Sequence, residues 1–370
     1  MQNQHKPVLI FAQSGRFLAQ SATQAGYTVW VVDCFGDTDT IAASERWLQL
    51  PTLSKLSEKI VLETIDKITL GEPCIVICGS GIEFFSDFLA NLPSNVDYLG
   101  NSINTIKSIK TPSTFFNLLK RLNIPHPQTQ FTPPKLSVNW ITKSAKGMGG
   151  IHIQNLNSLS RVSDECYFQQ YISGVSCSAL FLASEHSLTI LSINKQSLDP
   201  GPESPFRLGQ IEAPFHLSKS SRQNLTSIIE KLVSELQLVG LNSLDFIYTA
   251  TDHVLILEIN PRPSASIELV TSDSPIIQLH IDACMDKLDV NTLNNSSSFK
   301  SLSYFYADND YLIPNNMVWP KACSDLPSDG TSIKRGEPIC SFLVECCRNE
   351  NENLRSITKH KVLSQLIPIT

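Results

Sequence analysis

The chain has no apolar run long enough to span a bilayer, and its opening residues MQNQHKPVLIFAQ hold too short an apolar stretch for a signal peptide. It also has no basic cluster and no arginine-rich helix. Its 29 Lys and Arg residues are outnumbered by 35 Asp and Glu residues, which gives a net charge of −6. These absences argue against a membrane protein and against nucleic-acid binding, so we expect a cytoplasmic protein.

Three familiar motifs are missing as well. The ten cysteines include no paired C-x-x-C ligands, and Cys74 and Cys78 lie in an apolar strand, which predicts buried, reduced thiols. The first turn, AQSGRFLAQ, lacks the G-x-G-x-x-G spacing of a dinucleotide-binding loop. No Walker A loop is found, and the eight histidines are scattered without a pattern that predicts a site. A dehydrogenase, a zinc-ribbon protein and a P-loop enzyme are therefore disfavoured.

Short apolar strands alternate with helices in the first part of the chain, which predicts a Rossmann-like parallel sheet covered on both faces. A chain of 370 residues is too long for one core. We predict an α/β domain at 1–104, a central domain at 105–290 with a lid at about 136–175, and a small β-rich unit at 291–370. The proline-rich stretch 124–135 precedes the lid.

A polar segment rich in proline and glycine, residues 195–214, predicts a long surface loop. Arg207 within it is expected to be solvated, with contact to a substrate carboxylate as the alternative. The tail after residue 298 is predicted to contain apolar strands and turns. Neither segment identifies a ligand.

The most informative stretch is residues 241–262. Two apolar runs, 243–248 and 254–259, flank a polar turn, which predicts an antiparallel hairpin. Residues on paired antiparallel strands have numbers with a constant sum. We fold the hairpin about the midpoint of Thr251 and Asp252, and this register fixes which side chains face each other.

In this register Asp245 lies opposite Glu258, and Asn260 falls on the same face because side chains alternate along a strand. Opposed carboxylates about 5 Å apart at Cβ repel each other unless a cation lies between them. Two carboxylates and an amide oxygen suit Mg²⁺. The alternative is that both acids merely lie on a wet face of the sheet.

Arg262 favours the metal over that alternative. Prolines at 261 and 263 end the strand and place a guanidinium beside the predicted cation. An arginine next to bound cations is natural if an anionic phosphate bridges them. The hairpin thus predicts a site for a metal and a phosphate.

A second feature, WITKSAKGMGGIHI from Trp140, predicts a strand carrying Lys143, a glycine loop and a short strand. Glycines let backbone amides approach a ligand closely, so this segment could fold over nucleotide phosphates. A merely flexible turn is the alternative. The segment YFQQYISGVSCSALFL from Tyr167 predicts an extended strand whose free backbone groups could contact an adenine edge, with an ordinary core strand as the alternative.

The order of these parts resembles the ATP-grasp superfamily over most of residues 1–270. The most specific element is the spacing of thirteen positions between Asp245 and Glu258, followed by Glu-x-Asn-x-Arg. The resemblance implies an ATP-grasp fold of mixed α/β and α+β class, with a Rossmann-like N-terminal sheet and a β-rich tail. It also implies ATP as the nucleotide and Mg²⁺ as the ion, with Mn²⁺ as a substitute.

The same resemblance assigns roles to individual residues. The metal ligands would be Asp245, Glu258 and Asn260, and the catalytic residues would be Arg262 and Lys143. The nucleotide contacts would be Lys110, Lys143, Gly147, Gly149, Gly150, Gln169, Gln170, Tyr171 and Ile172. Many members of the superfamily carry glutamate where this chain has Gln169 and Ser176, which makes the ribose and adenine contacts less secure than the metal site.

Within the superfamily, LGNSINTIK, LEINPRPSASIEL and GTSIKRGEPIC resemble ATP-grasp proteins of methanopterin-linked metabolism and the tyramine:glutamate ligase of methanofuran biosynthesis. This implies a ligase that joins a small carboxylate to an amine through an acyl phosphate, releasing ADP and phosphate. Glutamate and an aromatic amine would be the substrates. The alternatives are a non-catalytic ATP-binding scaffold and carboxy-phosphate chemistry like that of biotin carboxylase. A homodimer is compatible with the superfamily, although no residue pattern encodes one.

Overall fold

The computed structural model describes residues 6–135, 138–158, 166–270, 272, 275–289 and 298–369. Over these residues the strands form a parallel five-stranded sheet followed by antiparallel sheets of four, eight and three strands. The predicted boundary between residues 290 and 291 and parts of the predicted lid lie outside the described residues. The three-part division of the chain stays a prediction.

Strands and helices alternate through the first part of the chain. They are β1 Val8–Phe11, α1 Arg16–Gln24, β2 Val29–Asp33, α2 Thr38–Ala42, β3 Arg46–Gln49, α3 Glu58–Thr69, β4 Cys74–Cys78, β5 Val96–Tyr98 and α4 Ile103–Lys110. The strands pair in parallel in the order β3-β2-β1-β4-β5, which confirms the predicted sheet. After β4 the chain forms a 3₁₀ helix, Ile82–Asn91, that begins where Gly81 takes a φ of 87°.

A small antiparallel sheet forms the next layer. Its elements are α5 Pro112–Arg121, β6 Thr129–Gln130, β7 Trp140–Ser144, β8 Ile153–Asn155 and β9 Cys166–Gln170. The strand order is β6-β9-β7-β8, with β7 and β8 paired around the glycine loop. The predicted order of strand, glycine loop and strand is confirmed.

The eight-stranded sheet carries the rest of the structure. The strands and helices of this part of the chain are β10 Val175–Ala183, β11 Leu188–Leu198, β12 Leu208–Ala213, α6 Lys219–Leu236, β13 Gly240–Tyr248, β14 Val254–Asn260, α7 Ile276–Cys284, β15 Lys300–Tyr306, β16 Tyr311–Leu312, β17 Cys323–Ser324, β18 Ser332–Ile333, β19 Pro338–Glu345, α8 Arg348–Leu363 and β20 Ile367–Pro368. Strands β16, β18 and β20 form the separate three-stranded sheet. The order is β14-β13-β10-β11-β12-β15-β19-β17. One face of β10, β13 and β14 packs on α5 and α6, and the other face, from β10 and β13, packs on α7 and the parallel sheet.

Two expectations about the second half are wrong. Half of the segment 195–214, predicted as a long loop, is strand: 195–198 end β11 and 208–213 form β12, and the two runs pair with each other, so the loop is limited to 199–207. Arg207 is not solvated: its side chain is 8% exposed, and its guanidinium lies 3.8 Å from the centre of the Tyr306 ring. Helix α8 was not predicted because its apolar stripe is weak, and only Asn351 and Val362 are buried.

Composition gave two further expectations. The ten cysteines are all free, and Cys74 and Cys78 are buried, as predicted. No helix among the described residues combines the length and the apolar character needed to cross a bilayer.

Arg16, at the start of α1, joins three parts of the chain. Its Nη2 donates to Glu268 Oε1 at 2.6 Å, and its Nε donates to Asp325 Oδ1 at 2.8 Å. The arginine and Glu268 are almost wholly buried. Asp325 follows β17, and its backbone N–H donates to Asp39 of α2 at 2.9 Å. These contacts hold the C-terminal strands against the carboxyl edge of the parallel sheet.

Replacing Arg16 with Met should lower the free energy of unfolding by about 3–5 kcal/mol, because two carboxylates lose their buried partner. Burial already raises the pKa of Glu268 against the opposing effect of Arg16, so losing Arg16 raises it further. A raised carboxyl pKa stabilises the fold at low pH and less as pH rises. The deficit should therefore shrink as pH falls from about 7 to about 5.

Urea denaturation at several pH values measures this effect. Arg121→Met is the matched control, because that arginine pairs with Glu235 at an exposed position and should contribute under about 1 kcal/mol. Equal losses in both variants, or a deficit that grows at low pH, would contradict the assignment.

Candidate functional site

The hairpin of β13 and β14 pairs Asp245 with Glu258, as the sequence predicts. Nearer the turn, however, Tyr248 pairs with Val254, and that register would set Asp245 opposite Leu257. An irregularity immediately after Asp245 inserts one extra residue and restores the pairing of the two acids. The pairing is confirmed, but it depends on a β-bulge that the sequence pattern did not predict.

The two acids are buried and electrostatically coupled. Burial and the neighbouring Glu258 raise the pKa of Asp245 to about 7. Asp245 accepts hydrogen bonds from Asn260 Nδ2 and Gln196 Nε2, each at 3.2 Å. Hard oxygen donors that repel each other in a buried site are suited to a divalent cation. The Asn260 amide directs its nitrogen to Asp245, so ligation through its oxygen would require the amide to rotate.

Two lysines lie beside these acids. Lys110, the last residue of α4, places Nζ 3.1 Å from Asn260 Oδ1. Lys143, on β7, is buried, and burial lowers its pKa while Glu258 and Asp245 raise it. For Glu258, burial raises the pKa, but Lys110, Lys143 and a nearby histidine outweigh burial and lower it. The structure thus brings the predicted lysines and acids into one charged cluster.

Arg262 joins this cluster through a residue that sequence reasoning missed. Its Nε donates to Glu83 Oε1 at 2.9 Å, and the Glu83 side chain is only 2% exposed. Burial raises the pKa of Glu83, but Arg262 and Lys110 outweigh it and lower the pKa, so Glu83 is charged. Its Oε2 is buried without a hydrogen-bond partner among the described residues. An acid just beyond the glycine turn that ends β4 was the available signal.

The glycine loop between β7 and β8 rests on the connection between β11 and β12. The Leu208 N–H donates to the Gly149 carbonyl at 2.9 Å. A Cβ on Gly150 would lie 1.9 Å from the Phe206 carbonyl oxygen, and the φ of Gly150 is +75°. Gly150 is therefore required both by its backbone conformation and by close contact with another chain segment.

His152 is a second residue that the sequence did not identify. A Cβ on Gly147 would lie 1.8 Å from His152 Cγ, so the ring fills the space beside that glycine. His152 Nδ1 is buried without a partner among the described residues. Burial lowers the pKa of His152, which favours a neutral ring. Its position two residues after a Gly-Gly pair was the only signal in the sequence.

A groove of about 30 Å³ lies under the glycine loop. It has a charged end, with Lys110 and Glu258, and an apolar end that includes Phe115 and Phe116. Gly147 forms part of its roof. This free volume is far smaller than that of a typical small-molecule pocket, which begins at about 300 Å³. In this conformation the groove under the loop has no room for a nucleotide.

The segment predicted to contact adenine has fewer unpaired backbone groups than the sequence suggests. The backbone N–H groups of Gln170 and Tyr171 already donate to the carbonyls of Gln128 and Asn139, at 2.9 and 2.7 Å. These bonds continue the antiparallel pairing of β9 with β6 and β7 by one residue beyond each ladder. Any adenine contact here must use other groups, such as those of Ile172.

Gln169 and Ser176, the two departures from the superfamily pattern, have partners in the structure. Gln169 is buried, and its Nε2 donates to Thr129 Oγ1 at 3.1 Å. Ser176 Oγ donates to Gln196 Oε1 at 2.8 Å, and Gln196 in turn donates to Asp245. Ser176 therefore supports the acidic pair.

Residues 113–266 match the family model of the ATP-grasp domain, ATP-grasp_3. This span contains the glycine loop, the segment from Tyr167 that is predicted to contact adenine, and the hairpin of β13 and β14 that carries Asp245 and Glu258. The chain has the ATP-grasp fold. The predicted fold class is thereby confirmed, whereas the roles of the individual residues stay predictions. Lys110 and Glu83 lie outside the matched span.

Solved structures support the same fold. The biotin carboxylase domain dimer of Hydrogenobacter thermophilus 2-oxoglutarate carboxylase, in complex with MgADP, ADP and bicarbonate, has a TM-score of 0.74 at 13% identity, over 99% of this chain and 91% of that chain. L-amino acid ligase from Bacillus licheniformis has a TM-score of 0.72 at 15% identity, over 100% and 99%. N5-carboxyaminoimidazole ribonucleotide synthetase from Thermotoga maritima has a TM-score of 0.69 at 15% identity, over 99% and 100%.

A search of curated proteins gives no significant match. The narrower resemblance to methanopterin-linked and methanofuran-linked proteins therefore stays a prediction.

Replacing Gly150 with Ala should detach the glycine loop from the neighbouring connection, because its Cβ would overlap the Phe206 carbonyl. Amide hydrogen exchange at Leu208, whose N–H donates to the loop, should accelerate about tenfold or more. Gly149→Ala is the control: it has a similar φ of +59° but no heavy atom within 4 Å of the added Cβ. Equal exchange in the two variants would mean that the close contact does not hold the loop.

Proposed function

We propose that this protein is an ATP-dependent ligase that joins a small-molecule carboxylate to an amine. The observation that carries the proposal is the buried pair of Asp245 and Glu258, with Lys110, Lys143 and Arg262 around it. A cluster of two acids and three cations is suited to hold a metal nucleotide and neutralise the charge that develops when phosphate is transferred.

In the proposed reaction, a carboxylate oxygen of the first substrate attacks the γ-phosphorus of ATP. The bond to the β,γ-bridging oxygen breaks, and ADP leaves. The amine nitrogen of the second substrate then attacks the acyl carbon of the acyl phosphate. Inorganic phosphate leaves, and the nitrogen loses a proton to give the amide.

The residues have distinct parts in this scheme. Asp245 and Glu258 would hold Mg²⁺, or Mn²⁺ in its place, with Asn260 as a further ligand after its amide rotates. The ion would supply charge neutralisation at the phosphates. Lys110 and Lys143 would contact the same oxygens, and buried Lys143 is the more strongly desolvated of the two. The glycine loop would exclude water by closing over the phosphates.

Arg262 would stabilise the transferred phosphoryl group and the tetrahedral intermediate. Its ion pair with Glu83 fixes the guanidinium at the boundary between the parallel sheet and the hairpin. Because the second Glu83 oxygen has no partner, an amine hydrogen could be accepted there. The amine substrate would then bind between the parallel sheet and the hairpin of β13 and β14.

Two of the similar structures support a ligase, since one is named an L-amino acid ligase and another an N5-carboxyaminoimidazole ribonucleotide synthetase. The narrower proposal is that glutamate is joined to an aromatic amine of a methanofuran-like cofactor. It rests on the sequence resemblance. No described side chain selects that pair over another.

Carboxy-phosphate chemistry is the second candidate function. A TM-score of 0.74 relates the chain to a biotin carboxylase domain solved with bicarbonate and MgADP. In this case bicarbonate would replace the carboxylate substrate at the same charged cluster. That domain is described as a dimer, which is compatible with a homodimer here.

A screen of ADP release with pairs of amino acids and amines tests the proposal. We expect release that requires both members of one pair, together with an amide product of matching mass. Release that needs bicarbonate and no carboxylate substrate would favour the second candidate. Nucleotide binding without ADP release in any combination would instead support a non-catalytic scaffold.

Replacing Glu258 with Gln should lower the rate of ADP release by at least about a hundredfold, because one of the two opposed carboxylates is lost from the charge-stabilising cluster. The fold should persist, since the change removes a charge that its neighbour repels. Glu230→Gln on the exposed face of α6 is the matched control and should leave the rate unchanged. Near-normal turnover of Glu258→Gln with the correct substrates would exclude the metal role.

A further inference from the structure

A cavity of about 300 Å³ lies apart from the candidate site, between β11, β12 and the first turns of α8. Its wall includes Lys195 and Ser197 of β11. Side chains alternate along a strand, so these two lie on the opposite face from Gln196, which donates to Asp245. The sheet therefore separates this cavity from the acidic hairpin, and its size is at the lower end of small-molecule sites.

Three residues that line the cavity, Gln210, Glu212 and Asn351, are joined by a hydrogen-bonded chain that passes through the buried Ser301 behind them. Gln210 Nε2 donates to Ser301 Oγ at 3.2 Å, and Ser301 donates to Asn351 Oδ1 at 2.7 Å. Asn351 Nδ2 then donates to Glu212 Oε1 at 3.3 Å. Gln210, Ser301 and Asn351 are each less than 9% exposed. A connected polar wall of this kind keeps its shape before a ligand arrives.

Three cations and two acids line the cavity, which gives a net positive charge. The Lys195 ammonium lies 3.6 Å from Glu212, and Arg355 Nη1 lies 3.4 Å from Glu352. Both distances exceed those of short charge-assisted hydrogen bonds. Arg348 is held separately, by the Pro214 carbonyl and the Phe299 ring.

The donors in this cavity outnumber the acceptors. Glu212 already accepts from Asn351 and pairs with Lys195, while Glu352 is largely exposed to solvent. Arg355 Nε is buried and has no hydrogen-bond partner among the described residues. A buried donor without a partner destabilises the folded chain, and an incoming acceptor can remove that penalty. The missing component is a negatively charged oxygen.

We propose that this cavity binds a small oxyanion, the carboxylate or phosphate group of a metabolite, with Lys195 and Arg355 as its main contacts. The site is separate from the proposed nucleotide site and does not depend on the proposed reaction. Small adjustments of the Arg355 side chain would turn its Nε toward the ligand. The oxyanion would also join α8 to β11 and β12.

Isothermal titration with inorganic phosphate and with succinate tests the site in the full-length protein, and the two probes distinguish a phosphate from a carboxylate. We expect at least one of them to bind with a 1:1 stoichiometry. Arg355→Gln and Lys195→Gln should each weaken that binding at least tenfold. The exposed Arg335→Gln is the charge-matched control and should leave binding unchanged.

Lys110→Gln separates this site from the nucleotide groove, because an oxyanion could also bind where phosphates are proposed to lie. Binding retained in Lys110→Gln and lost in Arg355→Gln is the result we expect. The opposite pattern, or no binding of either probe to the unaltered protein at millimolar concentrations, would overturn the proposal. Circular dichroism and unchanged MgADP affinity in the Lys195 and Arg355 variants show that a loss is local.

Discussion

Two carboxylates held face to face on a buried hairpin repel each other, and the remainder of the candidate site is arranged around that repulsion. Asp245 and Glu258 are brought together by strand pairing and not by their own attraction. Lys110 and Lys143 arrive from two other elements and supply compensating positive charge. The two acids are compensated only while the hairpin, helix α4 with Lys110 and strand β7 with Lys143 are all in place.

The dependence extends beyond the hairpin. Arg262 is two residues past the end of β14, and it is held by Glu83 from the parallel sheet. Arg16, at the start of α1, in turn links that sheet to Glu268 and to Asp325, which follows β17. Two arginines, the buried Arg16 and the partly buried Arg262, are thus each paired with acids from other segments that border the proposed active site.

The sequence contained enough to predict the local features. Strand alternation placed Asp245, Glu258 and Asn260 on one face, and alternating strands and helices predicted the parallel sheet. Contacts between distant segments were not predictable in this way. Glu83 and Arg262 are separated by 179 positions, and Arg207 is covered by Tyr306 and bonded to the Gly336 carbonyl, both from more than 90 positions away. The bulge after Asp245 was hidden for another reason: residues 254–257 on the partner strand are all apolar, so the sequence shows no break in alternation there.

The eight-stranded sheet crosses the boundary predicted near residue 290, since β15 pairs directly with β12. Cutting the chain there would strip β12 of its neighbour and leave a row of backbone amides and carbonyls without partners. Exposed edges of that kind recruit strands from other molecules. Strands β15, β19 and β17 from the last part of the chain therefore cover the edge that β12 would otherwise expose.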